Sequence, residues 1–158
     1  MRYTHLCTAL LATALAGGAG CIFVDHDREV RITELEVTGE TDWGLLDVEV
    51  HLFDADTHQH LGCAGAAEGL ERVDEDDVMY HVDAWFRAPY ADVAIEPWEL
   101  DGRALELQVI EDDVGVCPEP PSIEDDMIGI SPPVDRAMFE VGPMLSFDRV
   151  MGIRVVID

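Results

Sequence analysis

A period of two governs this 158-residue chain. In Asp47-Val48-Glu49-Val50-His51-Leu52, the residues Val48, Val50 and Leu52 share one face and polar groups take the other. Val78 to Ala84, Leu105 to Val109 and Ile153 to Ile157 alternate in the same way. Successive side chains of a strand point to opposite faces, so one apolar face at this period predicts antiparallel strands. Val30–Val37 reads as another strand. Ile32 and Leu35 fall out of phase there, which predicts a bulge. Met138–Val141 reads as a short strand, and Glu68–Arg72 has room for one helical turn. Turn-rich stretches separate these segments, and no long segment has a helical period. The expected fold is therefore all-β, an antiparallel sandwich of seven or eight strands. Trp85, Phe86 and Trp98 are expected in the core or on a sheet face.

Charge sets the next limit. The formal net charge is −25, and all nine bases are arginine. Such a chain repels nucleic acid and anionic lipid unless a cation intervenes. Nearly half the residues are hydrophobic, which argues against a disordered acidic tail. Catalytic patterns are thin. The three serines, Ser122, Ser131 and Ser146, lack a nucleophile-elbow context, and acids this abundant make any carboxylate pair weak evidence for a hydrolase. The chain is therefore expected not to be an enzyme. Asp54-Ala55-Asp56-Thr57-His58-Gln59-His60 puts two histidines beside carboxylates, a set that could hold zinc or copper. No third histidine or thiolate has matching spacing, so a polar hairpin connection with solvated histidines is expected instead. Asp74-Glu75-Asp76-Asp77 reads as an exposed loop or a peripheral part of an acidic site.

The N-terminus reads MRYTHLCTALLATALAGGAGC. Arg2 supplies a basic start, Leu6 to Ala16 an apolar run too short to span a bilayer, and small residues lead to Cys21. This resembles a bacterial lipoprotein signal, with cleavage before a diacylated cysteine. The resemblance implies a signal peptide at 1–20, a lipidated tether at 21–28 and a folded domain at 29–158. Ile22 follows the cysteine, where aspartate would retain a lipoprotein at the inner membrane in some bacteria. The implied address is thus the cell envelope, at the outer membrane. Ordinary cleavage after Ala16 is the alternative and would leave a periplasmic or secreted protein. Cysteine arithmetic agrees with lipidation: Cys7 departs with the signal, Cys63 and Cys117 can pair in an oxidising compartment, and Cys21 is left over.

Residues 111–129, EDDVGVCPEPPSIEDDMIG, hold seven carboxylates, no base and three prolines. Glu111 and Asp113, two apart at a strand end, point the same way. A hard cation such as calcium takes six to eight oxygens, which two converging loops supply more easily than one. Leu105–Asp113 followed by Asp126-Met127-Ile128-Gly129 resembles the C2 domain, a calcium- and phospholipid-binding β-sandwich of eight strands. Asp42 and Asp47-Val48-Glu49 fit the place of that family's other calcium loop. The resemblance implies calcium held by Asp42, Asp47, Glu111, Asp113 and Asp126. Asp112 and Asp125 are neighbours able to substitute, and Glu119 and Glu124 are bystanders. The chain departs from the family in Glu111 for aspartate, in Val48-Glu49 after Asp47, and in a loop about twice the usual length. The C2 topology would also bring Cys63 near the third loop, so that a Cys63–Cys117 bond would staple it.

The expected protein is a cell-envelope lipoprotein with a C2-like, calcium-binding, non-catalytic module. Its expected partners are the membrane, through lipid on Cys21, and an envelope protein, glycan or anionic lipid bridged by calcium. The rival is a structural or adhesive sandwich without metal.

Overall fold

In this computed structural model the described residues are 28–37, 48–65, 69–72, 79–89, 93–111, 117, 120–121 and 126–158. The longest strands follow the alternating segments, and short strands also form in stretches read as turn-rich. The strands are β1 (Val30–Val37), β2 (Val48–Asp54), β3 (His60–Ala64), β4 (Leu70–Arg72), β5 (Met79–Val82), β6 (Ala84–Trp85), β7 (Ala104–Glu111), β8 (Asp126–Ile130), β9 (Val134–Asp135), β10 (Leu145–Phe147) and β11 (Val150–Ile157). One helix, α1 (Arg136–Val141), lies between β9 and β10.

Two antiparallel sheets result. The first has the order β10-β11-β1-β5-β4, with β6 also paired to β1; the second has the order β3-β2-β7-β8, with β9 paired to β7. The fold is all-β. Between the sheets lie Val30, Ile32 and Leu35 of β1, Val50 and Leu52 of β2, Leu105, Leu107 and Val109 of β7, and Ile153 and Val155 of β11, together with Phe86 and Phe139. The expected bulge in β1 is present as a register shift between Ile32 and Glu34 against β11. It lets Ile32 and Leu35 both face inward although they are three residues apart.

Four sequence expectations need correction. Met138–Val141 lies in α1, not in a strand. Asp135 caps the helix by accepting from the Met138 amide at 3.2 Å, and Gly142 ends it at φ 63° with its amide on the Met138 carbonyl. Four alternating residues are too few to outweigh a capping aspartate and a left-handed glycine. Leu70–Arg72 pairs with β5 as strand rather than helical turn. Trp98 is 59% exposed. It sits on a 3-10 turn, Pro97–Leu100, whose buried residues Pro97 and Leu100 share the inner side and turn Trp98 outward. Finally, β2 is buried on both faces except at Phe53. Glu49 and His51, which alternation assigns to solvent, are covered.

The ends of the sandwich are defined by its register. Glu29 and Asp158 exchange backbone hydrogen bonds at 3.0 and 3.1 Å where β1 begins and β11 ends. Arg28 reaches Glu140 of α1 at 2.8 Å, and Arg136 of α1 joins Asp101 just before β7. These contacts set the starts of β1 and β7 and the end of β11 at one end. At the other, the β10–β11 turn closes on the edge strand β8: Arg149 donates to the Met127 carbonyl at 2.5 Å, and Asp148 accepts from the Ile130 amide at 2.9 Å. Val37, Val48, Glu111 and Asp126 belong to this second end.

Candidate functional site

At the second end two carboxylates of the acidic stretch 111–129, Glu111 and Asp126, come together. Val48 pairs with Glu111, and Glu111 pairs with Asp126, so one row crosses β2, β7 and β8. Asp47 immediately precedes this row in sequence, and Asp113 follows Glu111 by two. Asp126 is exposed, and Glu111 is half-buried. Like charges directly opposite in an antiparallel pair repel, and a divalent cation offsets that repulsion. Of the expected calcium ligands, Glu111 and Asp126 are thus cross-strand neighbours. Asp42, Asp47 and Asp113 lie outside the described residues, as do Asp112, Asp125, Glu119, Glu124, residues 74–77 and the expected lipidation site Cys21.

A second cluster lies on the outer face of the same sheet. Cys63 of β3 pairs in register with His51 of β2, which puts the two side chains on one face. Cys63 and Cys117 form a disulfide with Cα atoms 5.8 Å apart. This brings Cys117, within the β7–β8 connection, over β2. The Cys117 amide donates to Glu49 Oε1 at 3.0 Å, and His51 Nε2 lies 3.1 Å from Glu49 Oε2. His51 Nδ1 is in turn 3.0 Å from His60 Nε2. Phe53 and His60 flank His51, with ring centroids 6.4 and 5.1 Å away. His51 is 1% exposed. With Glu49 charged, one consistent arrangement runs from His60 Nε2–H to His51 Nδ1 and from His51 Nε2–H to Glu49. His60 Nδ1 is then a bare lone pair, buried without a partner. Burial, reinforced by His51 beside it, depresses the His60 pKa to about 4. His60 is therefore neutral near pH 7 and is not the solvated histidine expected from its turn-rich surroundings.

The donor atoms of Glu49, Cys63 and Cys117 lie within 4.8 Å of one another. Metals take cysteine as thiolate, and a disulfide leaves none. The cluster in this state is a clasp: one covalent bond and one buried carboxylate hold the β7–β8 connection to β2 and β3. Sequence reading missed Glu49 and His51 because polar residues at alternate positions signal a solvated face. Their separation by two placed them on one face, but nothing local announced that Cys117 would cover them.

The hairpin between β2 and β3 is organised by Asp54. Its carboxylate accepts from the Asp56 and Thr57 amides at 3.1 and 2.9 Å and meets Arg103 at 2.7 Å. The Thr57 hydrogen bonds, then Arg103, hold the Asp54 carboxyl below the ordinary carboxylate range. His58 takes the left-handed conformation at φ 56° in this turn and is exposed. Asp54 is thus spent on turn geometry and an ion pair, and His60 turns toward His51. A shallow depression of 840 Å³ at the first end is lined by Asp56, Asp101, Arg103, Arg136 and Glu140 among others. Arg136 binds both Asp101 and Glu140 there, so these acids are ion-paired structural groups rather than a spaced acid–base pair.

Searches with the whole chain find no matching protein-family model, no similar curated protein and no similar solved structure.

Proposed function

We propose that this chain is a cell-envelope lipoprotein whose folded domain is a C2-like, calcium-binding, non-catalytic module. The observation that carries the proposal is the row Val48–Glu111–Asp126, which joins the ends of β2, β7 and β8 beside two acidic connections. Residues 38–47 leave from Val37 and return at Val48, and residues 112–125 leave from Glu111 and return at Asp126. Glu111 and Asp126 are neighbours in this row, and the reading assigns Asp42, Asp47 and Asp113 of the adjoining segments to the same cation. Carboxylate oxygens from two segments suit a hard cation, which takes six to eight of them. The partner would be an envelope protein, a glycan or an anionic lipid, with calcium as the bridge.

Calcium titration with thermal melting tests this reading. A ligand that binds only the folded state stabilises it by about 2.7 kcal/mol at one hundred times its Kd. The expected result is a melting temperature that rises with calcium and returns with chelator, and a smaller rise in Asp126→Ala. An unchanged melting temperature at millimolar calcium removes the metal. The alternative is a structural or adhesive sandwich without metal. It draws support from the disulfide to Cys63 and the hydrogen bond to Glu49, which hold Cys117 of the β7–β8 connection to the sheet.

A further inference from the structure

The chain enters the sandwich at the end opposite the acidic row. Arg28 lies beside Glu140, and Glu29 pairs with Asp158. β1 then runs eight residues to Val37 at the acidic end. At strand rise this is about 26 Å. Cys21 precedes Arg28 by seven residues, which span at most about 25 Å when fully extended. A lipid on Cys21 could bring the acidic end to the bilayer only if the tether ran taut along the whole sandwich. With the entry end against the bilayer, the same tether keeps slack.

Charge and exposure favour that second geometry. The stretches 38–47, 73–78 and 111–126 hold three, four and seven carboxylates and no base. All three begin and end on strands at the acidic end: β1 to β2, β4 to β5, and β7 to β8. An anionic leaflet repels that end. The entry end also carries exposed acids, among them Asp56, Glu99, Asp135 and Asp158, but there Arg28, Arg103 and Arg136 pair with Glu140, Asp54 and Asp101 and offset part of the charge. The Pro97–Leu100 turn, which leads into β7 at this end, exposes Trp98. Tryptophan is the residue most at home at a membrane–water interface.

We propose that the bilayer anchoring Cys21 lies against the entry end of the sandwich, with Trp98 at its surface, and that the acidic end is presented away from that bilayer. The inference rests on the lipoprotein reading. It assigns the acidic end to a partner outside the anchoring membrane, not to that membrane's own headgroups.

Native tryptophans report the geometry. Trp43 lies in sequence between Val37 and Val48, both at the acidic end, whereas Trp98 is at the entry end. The full-length lipidated protein is prepared with Trp98 alone (W43F with W85F) or Trp43 alone (W85F with W98F). Each is bound to phosphatidylcholine–phosphatidylglycerol vesicles carrying bromine near the headgroups. Trp98 emission should be quenched more strongly than that of Trp43, since tryptophan at the interface sits at headgroup level. Equal or stronger quenching of Trp43 overturns the orientation. The unaltered protein gives the same answer by hydrogen–deuterium exchange: vesicle binding should slow exchange at 93–101 and leave 111–126 unchanged, and the reverse pattern refutes it. Flotation separates the two readings. The unaltered protein should float with vesicles and Cys21→Ser should not. If the unaltered protein stays behind, the anchor and this proposal both fall, whereas flotation with Trp43 quenched removes the orientation alone.

Discussion

At one end of the sandwich three arginines are paired with carboxylates; at the other, three connections carry acids with no base among them. Arg28 meets Glu140, Arg103 meets Asp54, and Arg136 meets both Asp101 and Glu140. These pairs tie α1 and the entry to β7 onto the start of β1. At the acidic end, Glu111 and Asp126 are neighbours in register, and the described hold on their connection comes from lower down, at Cys117. The contrast separates two uses of charge. Paired charge fixes geometry at the first end. At the second, Cys117 is held by a disulfide and by the buried carboxylate of Glu49, while Arg149 and Asp148 bind the backbone of β8.

The sharpest way to break this comparison is to cut the disulfide. Cys63 and Cys117 are 54 residues apart, and closing a loop of that size contributes about 4 kcal/mol on the chain-entropy account. Cys117→Ser should lower the melting temperature by many degrees. The loss should be steeper at low salt, where repulsion among the acids of residues 111–126 is least screened. A loss that ignores salt would show that the disulfide does not restrain like charge.

The long strands β1, β2, β7 and β11 and their inward faces were legible because alternation is local and each of them buries a face. The bulge in β1 was readable from the phase of Ile32 and Leu35. The misread elements are those where short-range chemistry outweighed a brief pattern: Asp135 and Gly142 make α1, and the Pro97 turn ejects Trp98. The acidic end was legible as composition, and the row Val48–Glu111–Asp126 needed the strand register. The Glu49–His51–His60 chain was out of reach, since polar residues on a strand's second face look solvated until a distant connection covers them.

The His60 end of that chain gives a smaller effect with a definite sign. Its folded pKa is about 4 against 6.5 for the ordinary group, so the folded protein binds fewer protons between those values. Stability should be complete above pH 6.5, fall as pH drops toward 4, and gain no further penalty from this group below that. The half-buried ring is partly screened by solvent, which puts the effect at roughly 1–2 kcal/mol. Denaturant melts of wild type and His60→Gln across pH 4–7 check it. The variant should lose part of the slope. An identical slope would show that His60 is as well hydrated folded as unfolded.

The smallest effect addresses the two ends directly, because neutralising one charge should act with opposite sign at each. Arg136→Met removes the cation between Asp101 and Glu140 and leaves two carboxylates without it. Exposed pairs of this kind are worth about 0.2–1 kcal/mol, so modest destabilisation is expected. Asp126→Asn removes one of two like charges paired across β7 and β8. In chelator it should stabilise by a few tenths of a kcal/mol, the size of a cross-strand charge effect. In calcium the same change should destabilise, because a ligand oxygen loses its charge. Two melts per variant, with and without calcium, decide the matter. If Asp126→Asn destabilises in chelator as Arg136→Met does, the acidic end carries paired structural charge like the other, and the distinction between the ends is lost.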